Sequence, residues 1–236
     1  MLKNQIGEIK CQFCNCREER NQEKRLEFAN IPTEFTDLTV NSFDTEIYNT
    51  DFNKDLAKAA KKEVANYVKN FEYFGNLGKG LYFFSNEKGS GKTRLAVSLG
   101  NALLNLKHKS VKFITAIAIL KEIQSTYNKN SKFTESQLIE SLSNVSILVI
   151  DDIGLEQPTK WVNEVLFSIF DTRMKYKKIT IFTSNCSIEN LDHDDRLKSR
   201  IFKMAQPIKM PEEDIRIMLA KEENRKLQDL LLKEWI

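Results

Sequence analysis

One nine-residue tract, Ser85-Asn86-Glu87-Lys88-Gly89-Ser90-Gly91-Lys92-Thr93, constrains this chain more than any other part of it. It follows the short apolar run Leu81-Tyr82-Phe83-Phe84, set off upstream by Gly75, Gly78 and Gly80, and leads into a helical pattern over 92–106. Strand, glycine-rich turn and helix is the context in which backbone N–H groups converge on an anion at a helix N-terminus. There Lys92 supplies positive charge to the outer phosphate oxygens of a nucleotide, and the Thr93 hydroxyl ligates magnesium. Glu87, Lys88, Gly89, Ser90, Gly91, Lys92, Thr93 and Arg94 are therefore the candidate nucleotide-binding residues. Asn86 stands where the usual pattern has glycine. Asparagine tolerates a left-handed backbone better than most residues, which predicts that the loop still closes.

A second tract supports the first. Ile147-Leu148-Val149-Ile150 is a buried-strand pattern that ends in Asp151-Asp152, bringing two carboxylates to the edge where open α/β sheets bind ligands. Alternation along a strand points the two acids in different directions. Asp151 is assigned to the magnesium shell and Asp152 to the attacking water. A third run, Ile179-Thr180-Ile181-Phe182-Thr183-Ser184, ends in Asn185, whose amide is placed to hydrogen-bond a phosphate or that water.

Around these tracts strands and helices alternate. Strands are expected near 81–84, 111–114, 146–150 and 179–183, and helices over 53–74, 92–106, 116–127, 134–143 and 161–176. That order predicts an α/β fold, a P-loop NTPase core with a parallel sheet and helices on both faces. The Pro211-Glu212-Glu213-Asp214 tract starts a last helix that runs to the end through Leu219, Leu227, Leu230 and Leu231. The lysine and arginine run from Arg173 to Lys178 is read as a solvated helix end favoured by the helix dipole. With 41% apolar residues in 236, one domain can bury a sizeable core. The apolar runs fall short of the roughly 20 residues a membrane helix needs, which predicts a cytoplasmic protein with no membrane partner. A net charge of +3 requires any nucleic-acid surface to be local.

The first thirty residues are polar and charged, and form a short appendage (1–30) ahead of the core domain (31–236). Cys11, Cys14 and Cys16 place three thiolates close together, whereas structural zinc takes four ligands. Both a zinc site completed from elsewhere and a reduced surface cluster stay open. Lysines and aromatics alternate in Tyr127-Asn128-Lys129-Asn130-Ser131-Lys132-Phe133, the pairing that tracks and stacks single-stranded DNA.

The phosphate loop, the Asp-Asp strand end, the Thr-Ser-Asn strand end, Arg196-Leu197-Lys198-Ser199-Arg200 and Asp214-Ile215-Arg216, in that order, resemble the AAA+ ATPases of the bacterial DnaC/DnaI helicase-loader family. Ile31-Pro32-Thr33-Glu34-Phe35 and Ile150-Asp151-Asp152-Ile153-Gly154-Leu155-Glu156 add to the likeness, which spans roughly residues 30–220. The IstB-type transposition ATPases share this core. The resemblance implies sensor-1 for Asn185, an arginine finger acting on a neighbouring subunit for Arg200, sensor-2 for Arg216, and adenine contacts for Ile31 and Pro32. It further implies ATP/ADP and Mg2+ as ligands, with single-stranded DNA, the replicative DNA helicase and further copies of the chain as partners. In such a family hydrolysis needs the assembled homo-oligomer. Loaders can carry cysteine clusters ahead of the core, a resemblance that raises the zinc reading at Cys11, Cys14 and Cys16 without displacing the reduced cluster. Family members usually carry a separate N-terminal domain that grips the helicase, and only about thirty residues precede Ile31 here. A short phage or mobile-element version with little or no separate lid domain fits that departure. An IstB-like regulator of transposition and an ATP-binding adaptor without turnover are the alternatives.

Overall fold

Four short apolar runs assemble into one parallel sheet because they bury most of both faces, and a fifth, more polar strand closes one edge. The computed structural model describes Leu2, Lys3, Ile9, Lys10, residues 29–128, Ser131 and residues 133–233. Strands β1 (Gly80–Phe84), β2 (Val111–Thr115), β3 (Ile147–Asp151), β4 (Ile179–Ser184) and β5 (Ala205–Lys209) lie in the order β2-β3-β4-β1-β5, every neighbouring pair parallel. Leu2–Lys3 and Ile9–Lys10 pair separately as a short antiparallel ribbon. Cys11, Cys14 and Cys16, and with them the zinc reading, lie outside the described residues, as do Lys129, Asn130 and Lys132.

Alternation along each strand divides the core in two. Leu81, Phe83, Val149, Ile181 and Ile208 face a cluster made with α1 (Asp51–Lys69), α2 (Phe71–Leu77) and α3 (Lys92–Leu106). Tyr82, Ile114, Leu148, Ile150 and Phe182 face a second cluster made with α4 (Ala116–Ser125), α5 (Glu135–Asn144), α6 (Lys160–Lys175) and α7 (Asp195–Met204). Burying each such side chain contributes roughly 1.5–3 kcal/mol, so packing outweighs local propensity in holding the strands. The helices start where hydroxyl or carboxylate caps permit: Thr50, Thr115, Thr134, Thr159 and Asp194 each accept a first-turn N–H.

Four expectations change. The helix anticipated over 53–74 breaks at Asn70, where the chain turns so that Phe74 stacks on Tyr67 with ring centroids 4.7 Å apart. Helix α7 and edge strand β5 were not anticipated. β5 contains Pro207, which costs a ladder N–H and is tolerated because β5 pairs on one side only. The last helix, α8 (Arg216–Lys233), begins five residues after Pro211, because Glu212 and Glu213 bind other parts of the chain, while Asp214 Oδ1 accepts from Arg216 N at the helix start. No helix among the described residues is long and apolar enough to cross a membrane.

Arg173 is the fourth correction. It is fully buried at the end of α6, not solvated. Its guanidinium donates to Thr180 Oγ1 (2.9 Å) and to the carbonyls of Leu142 (2.8 Å), Val145 (2.9 Å) and Ile179 (2.5 Å), joining α5, β4 and the turn before β3. Burial pulls its pKa down to about 9, still above neutrality, so the charge stays and is met by carbonyl dipoles. Substituting Arg173→Met should leave those carbonyls unpaired and lower stability by roughly 3 kcal/mol. The midpoint of denaturant unfolding measures this, and a shift below about 1 kcal/mol would contradict the role assigned to the guanidinium.

Candidate nucleotide site

Strand β1 delivers Ser85 to the sheet edge, and the chain then needs two left-handed residues to swing into α3. They are Gly89 (φ 73°) and Gly91 (φ 91°), whereas Asn86 keeps an ordinary negative φ. The left-handed conformation anticipated at Asn86 is thus supplied three and five residues later. Asn86 instead donates its N–H to a Glu212 carboxylate oxygen (2.9 Å), and its side-chain amide lies 3.4 Å from the other oxygen. Helix α3 opens on Gly91 with no side-chain cap bond, leaving its first-turn N–H groups directed at the loop.

Lys92 is buried across the mouth of this loop. Its ammonium donates to Glu87 O (2.7 Å) and lies 3.3 Å from Ser90 Oγ and 3.4 Å from Ser85 O. Burial lowers its pKa, against the opposing pull of Asp152, Glu212 and Asp151. A cation held this way is ready to exchange backbone carbonyls for phosphate oxygens. Glu87 and Lys88 carry exposed side chains, so the loop's contribution there is backbone. Arg94, on the next turn, donates to Ser42 O (3.1 Å).

Asp151 ends β3 almost buried, with Oδ1 accepting from Thr93 Oγ1 (2.9 Å) and Thr183 Oγ1 (2.6 Å). Burial pushes its pKa up, and the Thr183 and Thr93 hydrogen bonds pull it back. One hydroxyl and one carboxylate, oxygen donors only, from two elements meeting at the sheet edge are a donor set suited to Mg2+. Asp152 is not aimed by strand alternation, as the sequence suggested. It has left the strand with φ 56°, its N–H donates to Thr183 Oγ1 (2.9 Å), and it is half-buried. Thr183 therefore touches both acids, a role sequence reading missed. The available signal was its place one strand over, two residues before Asn185. Asn185 itself is half-buried at the end of β4, between the acid-bearing strand and the loop-bearing strand.

Two segments distant in sequence close on the loop. Tyr48 donates its hydroxyl to Ser90 O (2.9 Å), and the Phe43 ring stands 3.1 Å from where a Cβ on Gly91 would sit. Ile31 packs at the rim of the same core cluster, and Pro32 O accepts from Phe35 N in a short 3-10 turn. From the other side Ile215 N donates to Gly89 O (3.2 Å), and Arg216 Cβ is 3.1 Å from a Cβ built on Gly89. The sensor-2 candidate is therefore beside the phosphate loop. Arg200 has its partners on α6, with Nε 3.2 Å from Asp171 Oδ1 and its guanidinium 5.2 Å from the centre of the Phe167 ring. Arg196 sits over the same ring at 5.2 Å. In the aromatic patch, Trp161 Nε1 donates to Tyr127 Oη (3.1 Å), which donates to Glu135 (2.9 Å), while Phe133 is exposed.

Residues 39–206 match the family described as the bacterial DnaA ATPase domain. The chain is 36% identical over 122 residues to the replicative helicase loader DnaC of Buchnera aphidicola, covering 51% of this chain and 49% of that protein. With the replicative helicase loader DnaC of Escherichia coli K12 it is 36% identical over 132 residues, 56% of this chain and 51% of that one. The chain spans about half the length of the curated relatives it matches. The crystal structure of the DnaC helicase loader superposes with a TM-score of 0.62 at 22% identity, covering 76% of this chain and 99% of that one, which shows a shared fold.

Two substitutions test the geometry. Replacing Thr183 with valine removes a hydrogen bond that holds the Asp151 pKa down and frees the Asp152 amide; Mg2+-dependent nucleotide affinity should fall about ten-fold. Titration with a fluorescent ATP analogue, with and without Mg2+, reads it, and an unchanged Mg2+ dependence would refute the assignment. Gly89→Ala puts a Cβ 2.1 Å from Asp214 Oδ1 on a left-handed backbone, and should weaken nucleotide binding in the same assay by about ten-fold or more.

Proposed function

Because the chain belongs to the bacterial DnaA ATPase-domain family, and is a DnaC-like AAA+ protein with an ATP-binding P-loop core, we propose that it hydrolyses ATP in an oligomer and so loads the replicative DNA helicase onto single-stranded DNA in the cytoplasm. The observation that carries this reading is the convergence of buried Lys92, the Thr93–Asp151 pair and Asp152 at one sheet edge.

In this reading the loop N–H groups, Lys92 and Arg216 hold the polyphosphate. Thr93 and Asp151 would hold a magnesium ion, which would neutralise charge on the phosphate oxygens. Asp152 orients the attacking water and Asn185 hydrogen-bonds beside it, while Ile31 and Pro32 border the adenine. Arg200, exposed for about a third of its side chain and tethered to Asp171, turns from that tether to a neighbouring copy's phosphates. Hydrolysis is then slow in a monomer and fast in an assembly. Tyr127, Trp161 and Phe133 form the aromatic part of the single-stranded DNA path. Relatives matched over about half of their length are helicase loaders by name, and the share of sequence they have in common supports the same partner here.

The test is ATP turnover by the purified protein, alone and with single-stranded or duplex DNA, beside Lys92→Ala and Arg200→Ala. Each variant alone should lose about 100-fold or more in turnover. Mixing them should restore activity, since Lys92→Ala subunits still offer Arg200 to the intact loop of their neighbours. Stimulation by single-stranded DNA and capture of the replicative helicase support the loader. Preference for duplex DNA replaces it with a transposition regulator, and ATP binding with no turnover under any condition replaces it with an adaptor.

A further inference from the structure

Behind the Asp152 turn is a buried polar cluster that the site above does not use. His193 lies with Nε2 2.7 Å from Glu156 Oε1 and Nδ1 2.8 Å from Asn163 Oδ1. The His193 and Glu156 side chains are 1% and 2% exposed. Asn163 Nδ2 is 3.4 Å from Pro158 O, which leaves its oxygen facing the ring. Burying an imidazole and a carboxylate is costly unless each finds its partners, and a fully partnered network of this kind is rigid. The three residues come from three segments: the turn after β3, the first turn of α6 and the loop entering α7.

What makes the cluster more than a core contact is what each end holds. The other oxygen of Glu156 accepts the Gly154 N–H (3.0 Å). Gly154 is left-handed (φ 94°), two residues after left-handed Asp152. The turn between them is fixed further by Ile153 N to Thr183 O (2.9 Å) and Ser184 Oγ to Ile153 O (2.7 Å). A Cβ on Gly154 would stand 2.6 Å from Leu191 Cδ2, so the turn also packs on the segment leading to His193. At its other end His193 immediately precedes Asp194, whose carboxylate caps α7 through Leu197 N (2.8 Å). Helix α7 carries Arg200 one and a half turns on.

We propose that His193 is a positioning residue which, through Glu156, ties the turn that aims Asp152 to the start of α7, so that this chain's own water-orienting carboxylate and the arginine shown to a neighbouring copy are set together. The inference rests on the ATPase reading of the site for its consequence, but the link itself is a property of the chain alone. A disturbance at the subunit face reaches Asp152 through one buried ring and one carboxylate.

Amide hydrogen exchange of the nucleotide-free protein decides whether the link exists. His193→Phe should speed exchange at Ile153 and Gly154, and Glu156→Gln should speed it at Leu197 and Lys198, each about ten-fold, while β1 and α3 stay within about two-fold of wild type. His193→Gln, which keeps an N–H toward Glu156, should recover most of the protection. Turnover then reads the consequence: His193→Phe should lower kcat about ten-fold with KM little changed, and add nothing in an Asp152→Asn background. Faster exchange confined to residues next to each substitution, or spread over β1 and α3, overturns the proposal, as does an additive loss with Asp152→Asn. If wild type shows no turnover, the ATPase reading fails and the exchange pattern alone judges the link.

Discussion

A buried ammonium is the constraint around which this molecule is arranged. Lys92 lies inside the fold, where burial and the neighbouring Arg216 oppose its charge, and carbonyls and carboxylates around it offset that cost. Glu87 O and Ser85 O turn inward to it, which fixes the path of the loop. Asp151, Asp152 and Glu212 supply opposite charge from the end of β3, the turn after it and the segment before α8. These groups are far apart in sequence, so the position of one lysine requires the sheet order, the turn after β3 and the return of the C-terminal segment.

The sheet order follows from two cores. β1 and β4 are covered on both faces, which places the loop strand directly beside the strand ending in Asn185, and the acid strand next beyond it. Thr183 then bridges the turn, donating to one aspartate side chain and accepting from the backbone of the next. On the far edge of the sheet Arg173 does comparable work with carbonyls in place of carboxylates. Both interactions fix relative strand positions by polar groups that have no second choice of partner once buried.

The acids that follow β5 show how local preference yields to tertiary demand. Pro211-Glu212-Glu213-Asp214 has the composition of a helix start. Yet Glu212 binds Asn86 and Ser85, and Glu213 binds Asn49 and Asn53. Asp214 meanwhile packs against Gly89. The residue that departs from the usual phosphate-loop pattern, Asn86, is the one whose N–H Glu212 takes. Capping a helix is worth about 1 kcal/mol, whereas these contacts complete a loop that carries a buried charge.

Elements set by near-neighbour chemistry were legible in the sequence. α3 over 92–106 follows its expected bounds, and all four expected strands match within a residue at each end, because a glycine-rich turn and continuous apolar runs leave few other arrangements. Lys92, Thr93 and Asp151 meet as the spacing implied, since strand ends of a parallel sheet share one edge. What only the tertiary structure decided has long-range causes. Thr183 touches both acids because β4 happens to pair with β3. Phe43 and Tyr48 buttress the loop from more than forty residues away. Arg173 is buried in a lysine-rich run because carbonyls of other segments converge there, and His193 joins Glu156 across thirty-seven residues. Spacing within a segment is written in the sequence; which buried polar group meets which is settled only when separate segments lose water together.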